Sequence, residues 1–203
     1  MDECCNAKQA ELQSLSERHR RVLWYVLAIN IAMFLIEGTY GVIARSTALL
    51  ADSLDMLGDA FVYAISIYAI GRSTRWNASI ALIKGTVMAV FGIGVIAQAF
   101  FRFLSPSVPV AETMGIVGGL ALGANIICAT LLMRHRHDDI NMRSTWLCSR
   151  NDVIANIGVL IAAGSVAITE SKYPDLLVGA AISLLVLRSS FSVLRESLRE
   201  FRT

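Results

Sequence analysis

Six long apolar stretches, separated by short polar connections, dominate the hydrophobic pattern of this chain. About 20 residues at a rise of 1.5 Å cross a hydrocarbon core of roughly 30 Å, and a helix satisfies its own backbone hydrogen bonds there. The pattern predicts an all-α membrane protein, a six-transmembrane-helix bundle within residues 22–197, whose sequential helices are antiparallel neighbours. The approximate bounds of the spans are 22–44, 46–70, 78–104, 113–134, 144–169 and 173–197.

The composition agrees with a membrane location. The chain is 55% hydrophobic and 17% charged, whereas soluble domains have about 25% charged residues. The net charge of +2 is too small to indicate a nucleic-acid partner, so the lipid bilayer is the expected surrounding. Residues 1–21 are polar and lack an apolar core of their own, so we expect a cytoplasmic N-terminal segment and no removable signal peptide.

Basic residues indicate the orientation of the bundle. They are concentrated before the first span, between the second and third, between the fourth and fifth, and at the end of the chain. The opposite connections offer only Arg45, Arg102 and Lys172. The positive-inside rule then predicts that both termini, including a short tail over 198–203, are cytoplasmic in a multi-pass protein of the plasma (inner) membrane.

Two pairs of polar residues lie inside apolar runs, where a bare charge is costly. Asp55 and Asp59 are in the second span, and Cys148 and Asp152 are in the fifth. Residues four apart share one face of a helix, and a carboxylate at the centre of a membrane helix costs roughly 2.5 to 3.5 kcal/mol on insertion scales. Two such faces in contact would supply four ligands, so we predict a metal site formed by these residues.

The ligand types indicate a divalent cation that competes with protons. Zinc tolerates both oxygen and sulfur ligands and is the leading candidate, while the Cys148 thiol leaves cadmium, cobalt or iron open. Without an ion the carboxylates repel one another and take up protons, and metal binding releases those protons. We therefore predict outward transport of the metal by proton antiport, with no cofactor beyond the transported metal. Alternatively, Cys148 does not bind the metal, and Asn151 or a water molecule is the fourth ligand.

These residues carry a resemblance to the cation diffusion facilitator family of divalent metal transporters. The stretch from Ser46 to Asp59 resembles the signature of that family, and the stretch from Asp152 to Asn156 resembles its counterpart in the fifth span. The resemblance implies export of zinc and related ions by proton exchange, two ligand pairs from these two helices, and a homodimer. Family members have His or Asp where Cys148 stands. They also commonly carry a soluble cytoplasmic domain after the sixth span, so the sequence predicts a short form that lacks it.

Other polar residues inside the spans have a functional and a structural interpretation. Asp52 could be an access or relay carboxylate, or a hydrogen-bonded helix residue. Glu37 could join a proton path or hydrogen-bond a neighbouring helix. Asn156 is expected to form a contact between helices, and Lys84 to extend to the inner surface. Gly119 and Gly123 are spaced for close helix approach, either within one subunit or in a homodimer through the membrane helices.

Polar groups outside the spans are weaker candidates. The connection with His135 and His137 could capture metal, but with only two histidines a solvated turn and helix cap is the favoured interpretation. Cys4 and Cys5 could bind soft metal near the N-terminus, where an unstructured segment is the default. Cys128 is expected to pack in the fourth span.

Three rival functions remain at this stage. An intramembrane metalloenzyme is not expected, because hydrolytic sites of that kind rely on His-rich sets and no histidine lies within a span. A membrane metal receptor or accessory subunit would bind the ion without moving it. A channel would move the ion without a counter-gradient of protons.

Overall fold

The computed structural model describes residues 2–68, 74–134 and 140–200. For residues 2–19 and for a few later residues, Cys148 among them, it describes the backbone only. The described residues form six helices. These are α1 (Asp2–Ile43), α2 (Thr47–Tyr68), α3 (Thr74–Leu104), α4 (Ala111–Met133), α5 (Ile140–Thr169) and α6 (Tyr173–Glu200).

The predicted all-helical architecture is confirmed, and most helix ends agree with the hydrophobic pattern. The main difference lies at the start of α1, which begins at Asp2, well before the apolar run that starts at 22. Residues 2–21 contain no glycine or proline and are rich in Glu, Gln, Lys, Arg and Ala, which favour helix in any environment. The polar N-terminal residues therefore continue the first helix.

Five helices in the described part of the chain are long and apolar enough to cross a membrane, which agrees with a multi-pass membrane protein. The helix that does not meet this criterion is α2. It carries Asp52, Asp55 and Asp59 within 22 residues, and three acids are more than an apolar span usually contains. The sixth span and the cytoplasmic position of both termini thus stay predictions.

The connection between α1 and α2 is a tight turn. Arg45 adopts a left-handed backbone conformation (φ 53°), its N–H donates to the carbonyl of Val42, and the N–H of Ser46 donates to the carbonyl of Gly41. These two bonds satisfy carbonyl groups that the last turn of α1 would otherwise leave unpaired. The turn sets α2 antiparallel to α1.

A buried carboxylate from α6 caps the first turn of α2. Asp175, which is fully buried, accepts hydrogen bonds from the Ser46 hydroxyl (2.5 Å) and the backbone N–H groups of Thr47 (2.7 Å) and Ala48 (3.0 Å). The first N–H groups of a helix have no partner within it, so this carboxylate supplies acceptors where they are needed. Gly179, one turn further along α6, lies so close to Thr47 that an added Cβ would be 2.6 Å from its carbonyl carbon.

The helix α2 is the centre of the bundle, because it contacts each of the other five helices. The most extensive helix–helix contacts are those of α1 with α2, α3 with α6, and α4 with α5. Within the described residues α3 and α4 make no contact, so the prediction that all sequential helices are neighbours was wrong at this point. The reason is that α3 buries its inner face on α6, where Gly85 and Gly92 admit the side chains of Leu194 and Leu187.

We predict that Asp175→Ala destabilises the protein by about 1–3 kcal/mol, because several donors at the start of α2 lose their acceptor. The free energy of unfolding in detergent, obtained from a reversible denaturation curve, measures this loss. Glu112→Ala is the matched control, since Glu112 is also an acid in a first helical turn but is exposed. Equal stability of the two variants would contradict the capping role of Asp175.

Candidate metal site

The first predicted ligand pair lies on one face of α2, one turn apart. Asp59 is buried, with 9% of its surface exposed, and Asp55 is half-buried. The Tyr63 hydroxyl, itself 1% exposed, donates to Asp59 Oδ2 at 2.7 Å. This hydrogen bond holds the Asp59 carboxyl in a fixed orientation, because Tyr63 has little room to change its rotamer in the core.

Asp152 of α5 joins the pair on α2. It is 9% exposed, and its side chain interacts with those of both Asp55 and Asp59. The structure thus brings three of the four predicted ligands close together. Carboxyl groups that lie this close are compatible when one of them carries a proton, because a protonated carboxyl can donate a hydrogen bond and an ionised one cannot.

The described residues do not form a finished metal shell. No group of three or more His, Cys, Asp or Glu side chains among them has the arrangement of a preformed metal-binding set. The assignment of Asp55, Asp59 and Asp152 as ligands therefore stays a prediction, supported by their convergence.

Cys148, the fourth predicted ligand, lies on α5 one turn before Asp152, but its side chain is outside the described residues. The neighbouring residues are described. Arg150 is exposed and its guanidinium lies 5.6 Å from the centre of the Trp146 ring, a cation–π distance. Asn151 is exposed, so the structure gives no support to Asn151 as a replacement ligand.

A cavity of about 60 Å³ adjoins the cluster between α2, α3 and α6. Its polar lining consists of Asp55, Asp59, Lys84, Ser189 and Ser190. The Lys84 charge acts on both aspartates, so this lysine belongs to the site and the prediction that it only extends to the inner surface was incomplete. The sequence carries no signal for this position, because spacing along α3 does not reveal which helix faces it.

A second polar group lies next to the cluster, toward the start of α2. Glu37 of α1, Asp52 of α2 and Asn156 of α5 are all fully buried. The Asn156 side-chain amide donates to Asp52 Oδ1 (3.3 Å) and to the backbone carbonyl of Asp152 (3.0 Å). The prediction that Asn156 forms a contact between helices is confirmed.

The remaining candidates lie elsewhere. His135 and His137 are outside the described residues, as are the side chains of Cys4 and Cys5. Cys128 is fully buried and accepts a long contact from the Asn30 amide at 3.8 Å, in agreement with a packing role.

Two glycines of α4, Gly119 and Gly123, do not serve the packing of one subunit, in contrast to Gly118, where an added Cβ would lie 3.3 Å from Val159 and Leu160 of α5. A Cβ added at Gly119 or Gly123 would meet nothing within 4 Å. The interpretation that they allow close approach within the chain was therefore wrong, and a homodimer through the membrane helices stays a prediction.

Comparison with known proteins gives consistent matches. The sequence pattern of the cation efflux transmembrane domain matches residues 23–201. The zinc transporter ZitB of Yersinia pestis is 28% identical over 191 residues, which are 88% of this chain and 61% of that protein. The metal cation efflux system protein CzcD of Cupriavidus metallidurans is 25% identical over 192 residues, or 89% of this chain and 61% of CzcD.

A third relative is the cadmium, cobalt and zinc/H(+)-K(+) antiporter of Bacillus subtilis, which is 23% identical over 194 residues, 89% of this chain and 62% of that protein. The chain spans about 61% of the length of the curated relatives that it matches.

If the three carboxylates hold a divalent cation, removal of the Lys84 charge should strengthen its binding. A nearby unit charge contributes on the order of 1–2 kcal/mol at an effective dielectric constant of about 20, so Lys84→Gln should lower the Kd for Zn²⁺ by about tenfold. Titration calorimetry in detergent at fixed pH measures the Kd. Lys172→Gln, which removes a lysine bonded to the carbonyls of Phe103 and Ser105 far from the cluster, is the control. Equal Kd values for both variants would show that Lys84 does not act on the bound metal.

Proposed function

Because this chain belongs to the cation efflux family, the cation diffusion facilitators, we propose that it exports divalent metal cations, with zinc as the leading substrate, in exchange for protons. The observation that carries the proposal is the convergence of Asp152 on Asp55 and Asp59. Three acids from two helices share one partly enclosed position, where their mutual repulsion must be relieved by protons or by a cation.

The exchange follows from the chemistry of the carboxyl cluster. With protons bound, the carboxyl groups hydrogen-bond to one another and α2 and α5 are held together without an ion. A divalent cation needs the ionised carboxylates as ligands, so each metal that enters displaces protons. A higher proton concentration outside then favours release of the metal on that side. The same ligands thereby serve both ions in turn.

The helix arrangement offers a route for alternating access. The proposed ligands are on α2 and α5, whereas α3 and α6 form a pair of their own and supply the opposite wall of the cavity. A small movement of this pair against the other helices would widen or close the cavity beside Asp55 and Asp59. Rocking of packed helix groups around a fixed central site is a common mechanism of secondary transport.

The names of the relatives support the substrate class. They are described as a zinc transporter, a metal cation efflux protein and an antiporter for cadmium, cobalt and zinc. The thiol of Cys148 is softer than the His or Asp expected at that position, so we propose a site that accepts cadmium more readily than an all-nitrogen-and-oxygen site does. We further propose a plasma-membrane location with both termini in the cytoplasm, and a homodimer as the functional unit.

Asp152→Asn should reduce metal flux at least about tenfold, because the amide keeps the shape of the side chain but neither ionises nor balances a divalent charge. The measurement is Zn²⁺ uptake into proteoliposomes with and without an imposed pH difference. Glu112→Gln, an exposed acid on α4, is the control and should transport at the wild-type rate.

The same experiment separates the rival functions. Wild-type binding of Zn²⁺ without any flux would indicate a receptor or accessory subunit. Wild-type flux that is independent of the pH difference would indicate a channel. Undiminished flux in Asp152→Asn would contradict the assignment of the site.

Cys148→Ser tests the thiol. If the sulfur binds the metal, the variant should lose cadmium transport more than zinc transport, because a hydroxyl is a poor ligand for a soft ion. The ratio of Cd²⁺ to Zn²⁺ uptake rates in proteoliposomes measures the effect, and Cys128→Ser, in the buried core of α4, is the matched control. An unchanged ratio in Cys148→Ser would remove this residue from the ligand set.

A further inference from the structure

The polar group formed by Glu37, Asp52 and Asn156 has no role in the ligand set, although it lies beside it. Asp52 is three residues before Asp55 on α2, and Asn156 is four residues after Asp152 on α5. At 1.5 Å per residue, the group is about one helical turn from the metal cluster along both helices. Glu37 reaches it from α1, and all three residues are fully buried.

This group has more buried acceptors than donors. Glu37 Oε1 and Oε2, Asp52 Oδ2 and Asn156 Oδ1 are buried acceptors without a hydrogen-bond partner. The Asn156 amide gives its hydrogens to Asp52 Oδ1 and to the carbonyl of Asp152. The Glu37 and Asp52 carboxyls interact electrostatically with each other. A proton on either carboxyl would supply the missing donor, because a protonated carboxyl can donate to its neighbour and an ionised one cannot.

The surrounding charges make full ionisation of the pair unfavourable. The Asp55 carboxylate of α2 would repel ionised carboxylates at Glu37 and Asp52. Asp152 of α5 lies one helical turn from Asn156 and adds a further acid. The charged residues of α4 that the structure describes, Glu112 and Arg134, are at its two ends. On α3, Lys84 acts on the aspartates of the cavity, and on α6, Asp175 is bonded to the start of α2. An uncompensated buried charge costs several kcal/mol, which one proton would relieve.

We propose that Glu37 and Asp52 form a proton-binding carboxyl pair, separate from the metal ligands, that supplies a counter-proton for transport. The proposal rests on the metal exchange proposed above. A divalent cation at Asp55, Asp59 and Asp152 adds positive charge about one turn away, which drives the shared proton off the pair. When the metal leaves, the negative charge returns and the pair is protonated again. The two sites are thereby coupled through electrostatic interaction without sharing a ligand.

The ligand types of the two groups agree with a metal site at the cluster and a proton site at the pair. The metal cluster combines three carboxylates with the predicted thiol, a set suited to zinc and cadmium. The pair offers two carboxyls and an amide oxygen with no soft donor. Three of its four carboxyl oxygens are buried without a partner, so a proton on either carboxyl would gain an acceptor there.

The test uses the full-length chain in detergent and compares the wild type with Glu37→Gln and Asp52→Asn. Each variant replaces a proton-binding carboxyl by an amide of the same shape, whose NH₂ group is a permanent donor. The number of protons released per Zn²⁺ bound, measured with a pH indicator in weakly buffered solution, should fall by about one relative to the wild type. The control is Ser183→Ala, which removes a buried hydroxyl without a partner that does not titrate. This variant should release the same number of protons per Zn²⁺ as the wild type. Equal release by the wild type and both amide variants would overturn the proposal.

Infrared spectroscopy gives a second readout that does not depend on transport or on metal binding. Metal-free protein should show carbonyl bands of buried protonated carboxyls from both acidic groups. One component should be present in the wild type, persist in Asp152→Asn and disappear in Glu37→Gln, while the component of the metal cluster persists in Glu37→Gln. If Glu37→Gln does not fold, loss of the same component in Asp52→Asn gives the assignment. Survival of every component in Glu37→Gln, with loss only in Asp152→Asn, would assign all the protons to the metal cluster and exclude the pair. Absence of Zn²⁺ flux in the wild type would contradict the transport function, while the infrared band would still test the carboxyl pair.

Discussion

The structure depends on how a helix bundle of low polarity accommodates several carboxyl groups close together. Glu37, Asp52, Asp59 and Asp152 are buried and Asp55 is half-buried, and an isolated charge in such surroundings is strongly unfavourable. Each carboxyl therefore needs a hydrogen-bond donor, a proton or a cation. In the part of the chain that the structure describes, the Tyr63 hydroxyl donates to Asp59 and the Asn156 amide donates to Asp52. In the proposed function, protons and metal cations meet the remaining need in turn.

The same constraint explains the central position of α2. This helix carries three of the five acids and contacts every other helix, so its carboxyls are enclosed on all sides. Its first turn is fixed by Asp175, and the close approach of Gly179 leaves no room for displacement toward α6. The same contacts hold the start of α6 against the start of α2. The proposed movement of α3 and α6 would therefore be a pivot about this end, and it would change the cavity that Ser189 and Ser190 line further along α6.

The two acidic groups differ in their access to the cavity, which agrees with the proposal that the cluster binds metal and the pair of Glu37 and Asp52 binds a proton. The cluster beside the cavity can be reached by a metal ion, and its lining includes a lysine that limits how negative it becomes. Glu37 and Asp52 are fully buried and interact electrostatically with each other. A small, mobile proton can reach such a position through hydrogen-bonded groups, whereas a metal ion would have to lose its whole hydration shell. The position of each group relative to the cavity therefore favours one ion over the other.

The amino-acid sequence by itself determined the helices and the acidic face of α2. Long apolar runs predicted six helices with nearly the observed bounds, apart from the start of α1, and a spacing of four residues placed Asp55 with Asp59 on one face. Both features depend on neighbours within a single helix. Only the tertiary structure decided that α3 packs on α6, that Lys84 and Tyr63 belong to the cluster, and that Glu37 meets Asp52. These contacts join residues far apart in the chain. Apolar helix faces are chemically alike, so periodicity tells which residues share a face but not which face of another helix they meet.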